Sequence, residues 1–198
     1  MKAGDISIEG KKVYYIHNGV LKKPSVVFLH GKKFNAKIWV DSTAMKALAN
    51  AGYSAISVNL PNFNNTSYDT DLWPDIWLFE CMNRLKLTRP IFIAASTASE
   101  YVVPFMVNNP KRISGLIGVG LTNLKKYAND YSKVLAPVLA ISGEKDKIVP
   151  PSDSQIFAQA VTNGEYKTIA EAGHSPYLDK PEEFNKMVVE FLKTKCKF

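Results

Sequence analysis

The sequence predicts an α/β fold, a mostly parallel twisted sheet with helices on both faces, and three observations carry that expectation. Short apolar runs alternate with longer amphipathic stretches along the chain, the pattern of strands joined by crossover helices. Several runs, Ser25-Val26-Val27-Phe28-Leu29 foremost, are apolar at successive positions, as strands covered on both faces must be. No repeat, low-complexity segment or linker interrupts the alternation, so residues 1–198 are expected to form a single domain. With 198 residues and 46% apolar content the chain can close one sizeable core.

The elements follow in order. Ile6-Ser7-Ile8 and Val13-Tyr14-Tyr15-Ile16 read as an opening strand pair about a Glu9-Gly10 turn. After the strand at 25–29, a helix is expected from near Asp41 to Ala51, stopping at Gly52, followed by the strand Ala55-Ile56-Ser57-Val58. A polar, turn-rich loop spans Pro61 to Asp71, and the helix beyond it carries Trp73, Ile76, Trp77 and Phe79 at a spacing that suits core packing. Ile91-Phe92-Ile93-Ala94 is the next strand, and Thr97 to Asn109 reads as a helix that Pro104 should kink. Ile113 to Val119 and Val138 to Ile141 are two further buried strands. Asp153 or Ser154 can cap a helix to about Val161, and Tyr166 to Ile169 is the last strand. Pro181 opens a final helix whose first turn holds Glu182 and Glu183, where negative charge meets the positive end of the dipole.

Composition narrows the function classes. Charged residues are 22% of the chain, near the globular average, and no apolar run is long enough to span a bilayer. Met1 to Gly10 lacks the apolar stretch of a signal peptide. Two cysteines, Cys81 and Cys196, make no disulfide framework and show no metal-ligand spacing. A reduced, cytoplasmic protein without membrane association, metal or cofactor is expected, with a nuclear location also open. The net charge of +7 is scattered as lysine pairs at strand and loop edges, Lys11-Lys12, Lys22-Lys23, Lys32-Lys33 and Lys125-Lys126. Nucleic-acid binders gather such charge on one element, so a solvated surface is expected and no nucleic-acid partner.

Sheets of this kind carry their chemistry at the carboxyl ends of their strands. Ser96, in Ile93-Ala94-Ala95-Ser96-Thr97-Ala98-Ser99, sits where a strand turns into a helix. A nucleophile there is pushed clear of the sheet on a tight turn, provided that the residues two before and two after are small. Ala94 and Ala98 meet that demand, although the usual pattern is G-x-S-x-G; on this segment alone a helix cap is the stronger reading of Ser96. Asp146 follows the strand at 138–141, on the edge where the serine should emerge, and His174 lies after the last strand and before the last helix. Serine, acid, histidine is the chain order of an α/β-hydrolase triad. The expected roles are Ser96 as nucleophile, His174 as general base and then acid, and Asp146 as the group that fixes the imidazole. Turnover should then rise with pH as the imidazole loses its proton. The oxyanion needs two N–H donors, assigned to the backbone of Thr97 and of Lys32, with Lys33 as the alternative to Lys32. His30, before Gly31 at a strand end, is expected to shape that loop.

The residues His30-Gly31, Phe34, Trp39, Ala51-Gly52-Tyr53 and Leu60-Pro61 match the α/β-hydrolase opening. Ser96 followed by Tyr101 and Pro104-Phe105, with Ala172-Gly173-His174 and Tyr177-Leu178-Asp179-Lys180-Pro181-Glu182-Glu183, resembles the abhydrolase-domain-fourteen group of small, capless serine hydrolases. The resemblance runs from about Val26 onward. It implies an α/β-hydrolase fold without a cap domain, activity on small acyl esters and, since the group includes an interactor of a general transcription factor, a possible protein partner. Ser99 stands where relatives tend to have glycine, which bears on how closely the helix packs. Only Gly120 to Pro137 separates two strands where larger hydrolases insert a lid, so a shallow, open site is expected, with Phe34, Asn35, Asn62, Phe63 and Tyr177 as candidates for its rim. Two other readings stand beside the esterase. An acyltransferase or deacylase would pass the acyl group to an acceptor other than water, and a catalytically quiet interaction module would use the same scaffold.

Overall fold

A computed structural model describes residues 1–19, 25–62 and 69–196. The opening strands β1 (Lys2–Ile8) and β2 (Lys11–His17) pair antiparallel about Glu9 and Gly10, both at positive φ as a tight hairpin turn requires. The remaining strands are β3 (Ser25–Leu29), β4 (Ser54–Val58), β5 (Ile91–Ala95), β6 (Gly115–Val119), β7 (Val138–Gly143) and β8 (Gly164–Ile169). They form one eight-stranded sheet in the order β1-β2-β4-β3-β5-β6-β7-β8. Every pairing from β4 to β8 is parallel, and β2 joins β4 antiparallel.

The continuous apolar runs have a direct cause. Along β3, Val26 and Phe28 point into a core with Trp39, Leu48, Phe184 and Phe191. Val27 and Leu29 point into a second core with Trp77, Tyr101, Phe105 and Phe157. A strand alternates its side chains between faces, so both parities must be apolar when both faces are covered. The first face is covered by α1 (Ile38–Asp41), α2 (Ala44–Asn50), α6 (Pro176–Asp179) and α7 (Pro181–Lys195). The second is covered by α3 (Pro74–Arg84), α4 (Ser99–Asn108), α5 (Pro151–Ala160) and a 3-10 segment, Leu124–Lys133.

Several expected elements differ in detail. The helix expected from Asp41 to Ala51 is two helices broken at Thr43, which sits at φ +65°, a conformation few non-glycine residues adopt. The Asn185 side-chain amide of α7 donates to Thr43 Oγ1 at 3.0 Å, a tertiary contact at the break that local sequence does not reveal. Helix α5 opens at Pro151, not on a cap from Asp153 or Ser154, because proline at the first helical position needs no hydrogen-bond partner for an N–H. Of Trp73, Ile76, Trp77 and Phe79 only Trp77 is fully buried; Trp73, just before α3, is 77% exposed and Ile76 46%. Between β6 and β7 the chain holds only the 3-10 segment, so no cap domain is inserted there. Among the described residues no helix is long and apolar enough to cross a membrane.

Candidate active site

The site is built at the carboxyl edge of the sheet. β5 ends at Ala95 and the chain reverses through Ser96, at φ +53°, into a 3-10 turn (Ser96–Ala98) that leads into α4. A serine in the left-handed region is strained, and such strain persists only where the surroundings over-determine it. Small neighbours permit it: Ala94 and Ala98 are fully buried between strand and helix. Gly31, after β3, also approaches closely; a methyl group there would stand 3.3 Å from Ser96 Cβ. The Ser96 hydroxyl does not cap the helix. It lies 2.9 Å from His174 Nε2.

The other nitrogen of that imidazole, Nδ1, is 2.8 Å from Asp146 Oδ2. With Nδ1–H donating to the carboxylate, Nε2 is left to accept the Ser96 proton. The second carboxylate oxygen, Oδ1, accepts the N–H groups of Ile148 at 2.8 Å and Val149 at 3.0 Å. The Asp146 side chain is almost wholly buried, whereas that of His174 keeps 18% of its surface open. The acid and histidine loops are latched to each other: the Lys145 N–H donates to Ala172 O at 2.8 Å, and a Lys145–Glu171 ion pair lies outside it. The Gly173 N–H donates to Asp179 Oδ2 at 2.8 Å, which ties the histidine loop to α6. The structure thus brings the three residues singled out in the sequence, Ser96, His174 and Asp146, into one hydrogen-bonded line.

Sequence reasoning missed Gly120. It sits at φ +50°, and a side chain there would meet His174 Cε1 and Nδ1 at 3.1 Å and Asp146 Oδ2 at 3.2 Å. The signal was present, a glycine just past a strand at the right edge, but only the fold shows what it faces. Thr122 was also missed; its N–H donates to Ser96 O at 3.3 Å and its hydroxyl lies 3.2 Å from that of Ser99. Ser99, where glycine was the expected residue, is accommodated by that bond and is buried.

His30 is fully buried and serves the scaffold. The Leu60 N–H donates to its Nε2 and its Nδ1–H donates to Gly31 O, each at 3.0 Å, joining the loops after β3 and β4. Burial holds its pKa down at about 4 from 6.5, so it stays neutral.

The two expected oxyanion donors are placed differently from one another. Thr97 lies in the opening turn of the helix, where backbone N–H groups have no carbonyl a turn behind them to serve. The Lys32 N–H, however, donates to Thr97 Oγ1 at 2.9 Å, so the second expected donor is already engaged. Among the rim candidates, Tyr177 is a correction: it is 2% exposed and packs on Trp39 at 4.6 Å between ring centroids, because α6 turns it inward. Phe34 and Asn35 are half-buried in the loop after β3, Asn62 is exposed, and Phe63 lies outside the described residues. A groove of about 760 Å³ runs along α4, lined in part by Trp73, Ser99, Glu100, Val103 and Thr122. None of the three hydrogen-bonded residues lines it.

Comparison with known proteins agrees with this architecture. A family model described as the alpha/beta hydrolase fold matches residues 96–181, a stretch that contains Ser96, Asp146 and His174. The chain is 28% identical over 203 residues to ABHD14B of Rattus norvegicus, whose name assigns it provisionally as a protein-lysine deacylase; the match covers 97% of this chain and 96% of that one. It is 28% identical over 175 residues to ABHD14A of Mus musculus, covering 86% and 70% of the two chains. A crystal structure from Thermoplasma acidophilum, of a hydrolase classed by prediction as CIB-like, superposes with a TM-score of 0.90 at 21% identity, covering 97% of each chain.

Proposed function

We propose that this chain, a member of the α/β-hydrolase superfamily related to the abhydrolase-domain-fourteen proteins, is a serine hydrolase that forms an acyl-enzyme on Ser96. The observation that carries the reading is the hydrogen-bonded line from Ser96 Oγ through His174 to Asp146, at 2.9 and 2.8 Å. In acylation the Ser96 oxygen attacks the acyl carbonyl while His174 Nε2 takes its proton. The imidazolium, stabilised by the Asp146 carboxylate, returns that proton to the leaving group, and water activated by the same imidazole then releases the acid. The Ile148 and Val149 N–H groups hold Asp146 Oδ1 throughout, which keeps the carboxylate set against the imidazole.

Small acyl groups are the proposed substrates. No lid is inserted between β6 and β7 to enclose a long chain, and His174 keeps an open face beside Ser96. A second reading has a specific observation behind it. The provisional deacylase name of the ABHD14B relative suggests that the acyl group comes from a lysine side chain and passes to water or to another acceptor. The acyl-enzyme step is common to both readings.

The test is turnover on p-nitrophenyl esters of increasing acyl length, beside acyl-lysine peptides with and without thiol or amine acceptors. Wild type is expected to turn over the short acyl members. Ser96→Ala should lose about 10⁴- to 10⁶-fold in kcat with the fold intact by circular dichroism. Equal turnover by wild type and Ser96→Ala would overturn the reading.

A further inference from the structure

Resting on that reading, the region that receives the developing negative charge can be assigned more closely. A backbone N–H carries one hydrogen, and that of Lys32 points at Thr97 Oγ1 at 2.9 Å. A hydroxyl that accepts such a bond still has its own proton to give. Among the described residues Thr97 Oγ1 has no other hydrogen-bond partner; Lys32 is exposed and Thr97 partly so.

We infer that the side-chain hydroxyl of Thr97 is an oxyanion donor, held in position by the Lys32 N–H, and that the Lys32 N–H acts through it. Three points support the assignment. Thr97 directly follows Ser96 in the opening 3-10 turn, and its hydroxyl reaches the Lys32 N–H in the loop whose Gly31 packs against Ser96 Cβ, so the hydroxyl sits beside the nucleophile. The bond from Lys32 polarises the hydroxyl and strengthens its donation, as chains of hydrogen bonds do. Finally, the arrangement requires no bond to break before the charge forms, which is the preorganisation on which oxyanion stabilisation depends. The loop that carries Lys32 is set by Gly31 packed against Ser96 and by buried His30 behind it, so the N–H is aimed by the scaffold. In the tetrahedral intermediate, the former carbonyl oxygen accepts hydrogen bonds from the Thr97 N–H and the Thr97 O–H. No proton is transferred to it, and collapse returns it to a carbonyl.

The test compares Thr97→Val and Thr97→Ser with wild type on the ester that wild type turns over fastest. Valine keeps the shape and removes the hydroxyl; serine keeps the hydroxyl. Thr97→Val should lower kcat by about 10- to 100-fold, with KM changed less than threefold. That is at or below the ~10²–10³ typical of a lost oxyanion donor, because the freed Lys32 N–H then faces the oxygen directly. Thr97→Ser should recover kcat to within about threefold, and inhibition by a short alkyl boronic acid should follow kcat across the three proteins. An unchanged or raised kcat in Thr97→Val would overturn the assignment, the raised rate marking the hydroxyl as a competitor for the Lys32 N–H. Equal losses in the serine and valine variants would also overturn it, marking a packing role. No turnover by wild type on any ester or acyl-lysine peptide would instead overturn the hydrolase reading, a distinct result.

Discussion

The two halves of the site are built to different standards. On the acid–base side nearly every polar atom has a fixed protein partner. Both oxygens of Asp146 and both nitrogens of His174 are hydrogen-bonded, the two loops are latched by Lys145 to Ala172, and the histidine loop is tied to α6 by Gly173 to Asp179. On the side proposed to receive the oxyanion one exposed bond, Lys32 N–H to Thr97 Oγ1, stands over a buried support made of His30, Leu60 and Gly31. In the proposed mechanism the imidazolium and the oxyanion form and vanish together, but the imidazole must be held in one tautomer before the reaction starts, whereas oxyanion donors meet their acceptor only during it. The contrast suggests that the first half was sized for orientation and the second for access.

Three changes break or sharpen that contrast. The largest effect is expected from Asp146→Asn. The asparagine carbonyl can still accept the Ile148 and Val149 N–H groups and keep the loop, but its amide cannot accept from Nδ1–H in the same arrangement, so the imidazole is driven to the wrong tautomer. A loss of about 10⁴ in kcat is expected, with thermal unfolding little changed. Steady-state kinetics beside a melting curve checks it. The Thr97 pair comes next, at about 10- to 100-fold for valine and near wild type for serine.

The smallest effect on turnover concerns the support behind the oxyanion side. His30 has a folded pKa of about 4 against 6.5 in the unfolded chain, held down by burial. Between those values the unfolded chain binds a proton that the native state refuses, so stability is fully present above about pH 6.5 and falls as the pH drops towards 4. The difference amounts to about 3 kcal/mol at most. Urea unfolding at steps from pH 7 to pH 4 should show this slope in wild type, and His30→Gln, less stable at pH 7, should lack that part of it. An identical pH slope in the two proteins would remove His30 from the support.

The strands that face two cores were legible because both parities of β3, β5, β6 and β7 had to be apolar, a pattern that survives without any tertiary information. The same edge rule placed Ser96, Asp146 and His174 at one end of the sheet from chain order alone. What escaped depended on contacts between remote segments. Thr43 breaks a helix where α7 reaches across to it, and Tyr177 turns inward onto Trp39 although its neighbours read as a loop. Trp73 and Ile76, at helical spacing with a buried stripe, face outward because α3 starts at Pro74 with its inner face already set by Trp77, Leu78 and Cys81. The partner of the Lys32 N–H was hidden for a similar reason. Backbone donors carry no sequence mark, and only the fold shows that Thr97, 65 positions away, has claimed this one.

The proposed nucleophile can be tested chemically. Treating the protein with a fluorophosphonate and mapping the adduct by peptide mass spectrometry should find a single modified peptide, the one containing Ser96. Labelling should be absent in Ser96→Ala and slowed at least a hundredfold in His174→Ala. An adduct on another residue, or equal labelling of wild type and Ser96→Ala, would contradict the claim that Ser96 is the reactive hydroxyl of a hydrogen-bonded triad.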